Sequence, residues 1–142
     1  MDLVDRALDR LLAHDMAGFA NLWAEDGVLE FPFASPGYPR RLEGRAAIAE
    51  YLRGYPDLLD IREVTEKIVH RTADPEVTVV EFEVAGVAVA TGKPYRLGYI
   101  AVLTVRDGEI RHYRDYWSPL AAAEVLGGAD QLLTAFAGGR DA

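Results

Sequence analysis

Asp115 stands in the run Tyr113-Arg114-Asp115-Tyr116-Trp117, a carboxyl set among aromatic side chains. In an extended strand successive side chains point to opposite faces. Arg111, Tyr113, Asp115 and Trp117 then share one face, and Ile110, His112, Arg114 and Tyr116 the other. A carboxyl between aromatic neighbours in an apolar cavity is desolvated, which raises its pKa toward the range useful for proton transfer. The plainer alternative pairs Asp115 with an arginine on a solvated or subunit-covered face. A one-residue bulge would exchange the two faces and bring His112 and Arg114 inward, which makes His112 the second acid/base candidate. Tyr99 and Tyr113 carry phenol hydroxyls that can donate to a developing enolate or alkoxide, or else serve as core aromatics with a hydroxyl at the cavity edge.

Residue types that are scarce narrow the chemistry further. The 142 residues include no Cys, which removes disulfides, thiolate nucleophiles and Cys-ligated metals. Ser occurs only at Ser35 and Ser118, each before a Pro, and Lys only at Lys67 and Lys93. His14, His70 and His112 lie far apart with no metal-ligand spacing, and no phosphate-binding loop is present, so neither cofactor nor metal is expected. His14 and His70 are read as structural. What remains is carboxylate, phenol, imidazole and guanidinium.

With 15 Lys and Arg against 23 Asp and Glu, the net charge is −8 and no basic stripe appears, which argues against nucleic acid and anionic membranes as partners. Met1-Asp2-Leu3 has no cationic leader, and the apolar stretch Leu97 to Val105 is nine residues, too short to cross a bilayer. A cytoplasmic location is expected, and the length suits one domain over residues 1–142.

These side chains need elements to hold them. Leu3, Val4, Ala7, Leu8, Leu11 and Leu12 form one stripe of a helix over 2–13. Asp15 reads as the N-cap of a second helix running through Phe19, Leu22 and Trp23, broken by Glu25-Asp26-Gly27. Val28 to Phe31 reads as a short strand, followed by the Pro- and Gly-rich loop Pro32 to Pro39. A third helix starts near Gly44 and stops at Gly54-Tyr55-Pro56. Four strand-like segments then follow: Ile61 to Arg71, Glu76 to Thr91, Pro94 to Arg106 and Glu109 to Trp117. Turn signals separate them, including Asp107-Gly108, so they predict an antiparallel meander. After Pro119 helix returns. The predicted class is α+β: a curved antiparallel sheet wrapped as a cone around N-terminal helices. Trp23, Phe31, Phe33, Tyr38, Tyr51 and Tyr55 from the helical half, with Tyr99, Tyr113 and Trp117 from the sheet, are placed around its mouth as a small-molecule site.

Three segments carry a family resemblance across nearly the whole chain. They are Leu22 to Phe33 (LWAEDGVLEFPF), Leu42 to Ile48 (LEGRAAI) and Val105 to Pro119 (VRDGEIRHYRDYWSP). In this order the chain resembles the nuclear transport factor 2-like superfamily, within it the SnoaL-like and phenazine-biosynthesis A/B-like branches. The superfamily includes ketosteroid isomerase, polyketide cyclases and limonene epoxide hydrolase. The resemblance implies that Asp115, matching an acidic residue on the last strand, points into the cone as general acid or base. It also implies a homodimer formed through the outer sheet face. A departure is Arg96-Leu97-Gly98-Tyr99, where relatives carry a polar pair, so a second interior acid/base group is not expected there. The three-residue Asp-Arg-Asp set of the epoxide hydrolases is not identifiable either.

Function on this fold follows from the site and not the fold. The expected activity is cofactor-independent acid/base chemistry of secondary metabolism on a small hydrophobic carbonyl-bearing molecule: isomerisation, cyclisation or dehydration. The alternative is a non-catalytic ligand-binding or dimerisation module. Arg41, beside Arg40 after the Pro-rich loop, is a contact for a substrate carboxylate or simply a surface arginine. Glu81 and Glu83 alternate with Val80, Phe82 and Val84 as a solvent face opposite a core face, whereas Glu30 would turn inward only if its strand were rotated.

Overall fold

In the computed structural model, which describes residues 2–128, the N-terminal stripe folds as helix α1 (Leu3–Leu12). Its first turn is capped by the Asp2 carboxylate, which accepts from the Asp5 N–H. Asp15 caps α2 (Met16–Ala20) in the same way, accepting from Gly18 N–H. The chain continues through β1 (Trp23–Glu30), β2 (Arg41–Glu43), α3 (Arg45–Leu52) and α4 (Tyr55–Leu58). The meander follows as β3 (Leu59–Arg71), β4 (Val77–Ala88), β5 (Pro94–Arg106) and β6 (Glu109–Trp117). It ends in α5 (Pro119–Val125), capped by Ser118.

The six strands form one curved, unclosed sheet in the order β2-β1-β6-β5-β4-β3. The meander is antiparallel throughout, while β1 joins β6 in parallel. Asp107 and Gly108 close the last hairpin with φ of 55° and 77°, the left-handed pair that a two-residue turn of this twist requires. Ala7, Leu8, Met16, Phe19, Ile48 and Leu52 of the helices bury against Trp23, Val80, Val84, Leu97 and Ile110 on the concave face. Each large side chain removed from water there contributes about 1.5–3 kcal/mol.

Two sequence expectations change. The second helix ends at Ala20, and Trp23 already belongs to β1. Glu25-Asp26-Gly27 is therefore not a break between helix and strand. It lies inside β1, where the pairing with β6 shifts between Trp23↔Ile110 and Val28↔His112. Gly27 is required at that irregularity, because a Cβ would lie 2.9 Å from the Ile110 carbonyl oxygen and 2.8 Å from the Trp23 ring.

The second change concerns β6. Thr104 pairs with His112 but Val105 with Ile110, so Arg111 is an extra residue in the strand. The bulge inverts the alternation on its N-terminal side only. Ile110 is fully buried in the core, and Arg111 turns to Asp26, Glu109 and Asp107 at 3.6, 3.7 and 3.8 Å. From His112 onward the period of two holds. Arg111 therefore does not share the face of Tyr113 and Asp115, as simple alternation predicts, and Ile110 does not share that of His112.

Candidate functional site

The concave face and the helices enclose a cavity of about 90 Å³. Tyr99, Ala101 and Leu103 of β5 oppose Trp117, Asp115 and Tyr113 of β6, which sets these side chains in one cross-strand row. Tyr51 and Leu52 from α3 and Tyr55 from α4 face them, and Ala122, Val125 and Leu126, from α5 and just beyond it, add to the wall.

Among the described residues, Asp115 is the one carboxyl in this wall, and no Lys, Arg or His lines it. Asp115 is partly exposed, and its Oδ1 is buried with no hydrogen-bond partner. Loss of water without a compensating donor disfavours the carboxylate, and burial pushes its pKa from 3.8 up to about 7. The group can thus hold or release a proton near neutrality.

The hydroxyls of Tyr55 and Tyr99 are hydrogen-bonded at 2.9 Å. Burial raises the pKa of both phenols, and at Tyr99 the Tyr55 hydroxyl and the Asp115 charge add to the effect. The phenol of Tyr113 is likewise raised by burial and then by Asp115. Both remain donors at any physiological pH. The rings are fixed by stacking: Tyr99 lies on Phe82 at 5.1 Å and Tyr113 on Trp23 at 5.3 Å. Trp23 is held in turn by its indole N–H, which donates to the Val28 carbonyl at 3.3 Å.

Of the residues singled out in the sequence, the structure brings Asp115, Tyr99, Tyr113, Trp23, Phe31, Tyr51, Tyr55 and Trp117 to the cavity wall. Four lie elsewhere. His112 is on the convex face, bonded to the Glu30 carboxylate across the β1–β6 pair, because the bulge at Arg111 leaves the phase of residues 112–117 unchanged. Arg41 is exposed and paired with Glu43 at 2.8 Å and Glu30 at 3.5 Å, since β2 is an edge strand. Phe33 is 59% exposed and packs edge-on against Tyr116 at 5.3 Å, on the convex side. Tyr38 packs against the Ala122 and Ala123 pair and is not part of the cavity wall.

Glu81 and Glu83 point outward, to His70 at 2.6 Å and Arg96 at 3.1 Å, as the alternation predicts. Leu97 lines the cavity as an apolar wall. Sequence reasoning missed the wall positions in α5 and just beyond it, whose signal was the apolar spacing of Ala122, Val125 and Leu126. It also missed the Tyr55–Tyr99 bond, for which 44 residues of separation leave no local signal. Among the described residues, no three His, Asp or Glu side chains are grouped to hold a metal ion, and no helix is long and apolar enough to cross a membrane.

Comparison with known proteins places this geometry in a family. The chain is 44% identical over 119 residues to the YesE protein of Bacillus subtilis, covering 84% of this chain and 81% of that one. It is 43% identical over 122 residues to the PhzA/B-like protein PA3332 of Pseudomonas aeruginosa, covering 85% and 86% of the two chains. The crystal structure of a Bacillus subtilis protein described as an isomerase candidate superimposes with a TM-score of 0.81 at 40% identity, over 90% of this chain and 97% of that one. Residues 4–113 match the model of the SnoaL-like domain, and the chain belongs to that family.

Proposed function

We propose that this protein is a small-molecule enzyme that moves a proton at a carbon next to a carbonyl, without a cofactor. The isomerase, cyclase and dehydratase reactions of secondary metabolism share this step. The observation that carries the reading is Asp115 itself: a carboxyl with one buried, unpartnered oxygen, lining an aromatic cavity beside a hydrogen-bonded pair of phenols. In the Asp115 carboxylate form, an oxygen removes the proton from the α-carbon. The C–H electrons pass into the carbonyl, and the resulting enolate oxygen accepts hydrogen bonds from the tyrosine hydroxyls. Asp115, now protonated, returns the proton to the same or another carbon and is regenerated. The isomerase description of the Bacillus subtilis structural relative agrees with this class of reaction.

The test is exchange of α-protons of short-chain ketones in deuterated buffer, followed by NMR. The protein accelerates exchange above the buffer rate, and the rate climbs as pH rises through about 7 and levels off above it, because the base form is required. Tyr99→Phe removes one donor and slows exchange about 100-fold with little change in apparent affinity. If no ketone exchanges faster than in buffer, the ligand-binding module becomes the better reading.

We also propose that two copies pair through the convex face of the sheet. Ile68, Glu81, Ile100 and Tyr116 form a row across β3, β4, β5 and β6, with Ile68 41% and Ile100 43% exposed. Sedimentation equilibrium is expected to give a dimer for the native chain and a monomer for Ile100→Arg, which would bury an unpaired cation at the contact. A native monomer at working concentration refutes the pairing.

A further inference from the structure

The wall of the cavity limits both the charge and the size of what can enter it. Among the described residues, Asp115 is its one ionisable group apart from phenols, and no cationic side chain lines it. The arginines of the loop before β2, of α3 and of β6 are committed elsewhere. Arg40 donates to the carbonyls of Ala34 and Pro32, Arg45 to that of Trp23, and Arg111 sits among three carboxylates. A carboxylate or phosphate inside would therefore be a buried anion facing a second acid, with no counter-charge to offset its desolvation.

The polar complement of the wall is specific in the opposite sense. The Tyr55–Tyr99 pair holds two protons for one mutual hydrogen bond, which leaves one hydroxyl proton to donate. The protonated Asp115 carboxyl, whose Oδ1 has no partner, can donate as well. These groups ask for an acceptor oxygen on the ligand.

Size is set by volume. The 90 Å³ cavity is well below the several hundred Å³ of sites for drug-sized ligands, and below the ~150 Å³ apolar cavity that admits one benzene. Phe82, Val84 and Leu97 from the sheet and Leu52 from α3 fix this limit, because all are buried in the core.

We infer that the cavity takes an uncharged ligand smaller than one six-membered ring, a short chain bound through a single acceptor oxygen, and that it excludes carboxylates, phosphates and ring molecules. This rests on the proposed function for the choice of site, and narrows its substrate class to compact neutral ketones or esters.

The test uses the full chain and three probes in ligand-observed and intermolecular-NOE NMR: butanone, butyrate and cyclohexanone. Butanone is expected to bind with NOEs to Phe82, Tyr99 and Trp117. Butyrate and cyclohexanone bind at least about 30-fold more weakly. Leu97→Ala, which enlarges the cavity, gains cyclohexanone binding at these same contacts. Val84→Ala serves as a second enlarged variant should Leu97→Ala fail to fold. Absence of butanone binding overturns the inference. So does butyrate, or cyclohexanone, matching butanone at the same residues in the native protein. Cyclohexanone binding unimproved in the folded enlarged variants overturns the size limit. Butanone binding without α-proton exchange leaves this inference standing and removes the catalytic reading. Exchange with an anionic ketone does the reverse.

Discussion

Asp115→Asn is expected to lower α-proton exchange by about 10²–10⁴-fold, and at the same time to remove a pH-dependent loss of stability near neutrality. The two effects share one cause. In the folded protein burial lifts the Asp115 pKa from 3.8 to about 7, because its Oδ1 has no donor to compensate for lost water. Below pH 4 both folded and unfolded chains hold the proton, and the group contributes nothing adverse. Between about 4 and 7 the unfolded chain releases the proton while the folded chain keeps it, so stability declines as pH rises. Above about 7 the decline is complete, and it amounts to roughly 4 kcal/mol.

Asparagine has no proton to lose. Urea titrations of both proteins from about pH 4 to pH 8 should show the variant gaining on the native chain over that interval, with the gap flattening above 7. The amide brings a new buried donor that costs about 1–3 kcal/mol if unpaired, but this offset does not vary with pH. Asp5, Glu76 and Glu83, whose pKa values are lowered by Lys67, Arg106 and Thr65 with Arg96, contribute the opposite slope in acid. They are common to both proteins and cancel in the difference. Parallel pH profiles for the two proteins would show that Asp115 is not desolvated in solution. An unchanged exchange rate in the variant would remove it from the mechanism.

Trp23→Ala should be the most damaging single truncation, costing about 3–5 kcal/mol. Its side chain is fully buried, edge-on to Phe19 at 5.2 Å and stacked on Tyr113 at 5.3 Å, and it sits at the irregular pairing of β1 with Ile110 on β6. Truncation opens a void beside the cavity and releases Tyr113 from its stacking partner. A loss of that size is a large part of the 5–15 kcal/mol that ordinarily separates folded from unfolded domains. Trp23→Phe keeps most of the packing and forfeits the hydrogen bond to the Val28 carbonyl, so its cost is smaller, about 1–2 kcal/mol. Urea midpoints at constant slope check both. If Trp23→Ala unfolds within about 0.5 kcal/mol of the native protein, the packing account of this corner is wrong.

Much of the fold was legible because its signals are local. The Asp15 cap, the Asp107-Gly108 turn and the alternation of Glu81 and Glu83 with Val80, Phe82 and Val84 each depend on a few neighbouring residues. Asp115 and Trp117 were placed on one face by the same period of two, and the cavity contains both. Local logic failed where one strand must fit another. Glu25-Asp26-Gly27 has the composition of a turn, yet it lies within β1, because the shifted pairing with β6 accommodates it. The bulge at Arg111 also follows from pairing, and no feature of the sequence Ile110-Arg111-His112 announces it. Phe31 lines the cavity while Phe33, two residues on, stands exposed, because the chain leaves β1 between them and strand periodicity ends there.

The sequence by itself determined the repertoire. No Cys, two Ser, two Lys and an acidic carboxyl-and-phenol composition settle which groups are available, since side-chain chemistry needs no folding to be known. Tertiary structure alone decided how they are used. It left the Asp115 carboxyl without a partner, joined Tyr55 to Tyr99 across the cone, and turned His112 and Arg41 outward to Glu30. Desolvation, hydrogen bonding and enclosed volume depend on every element that closes around a group, so no reading of one segment at a time contains them.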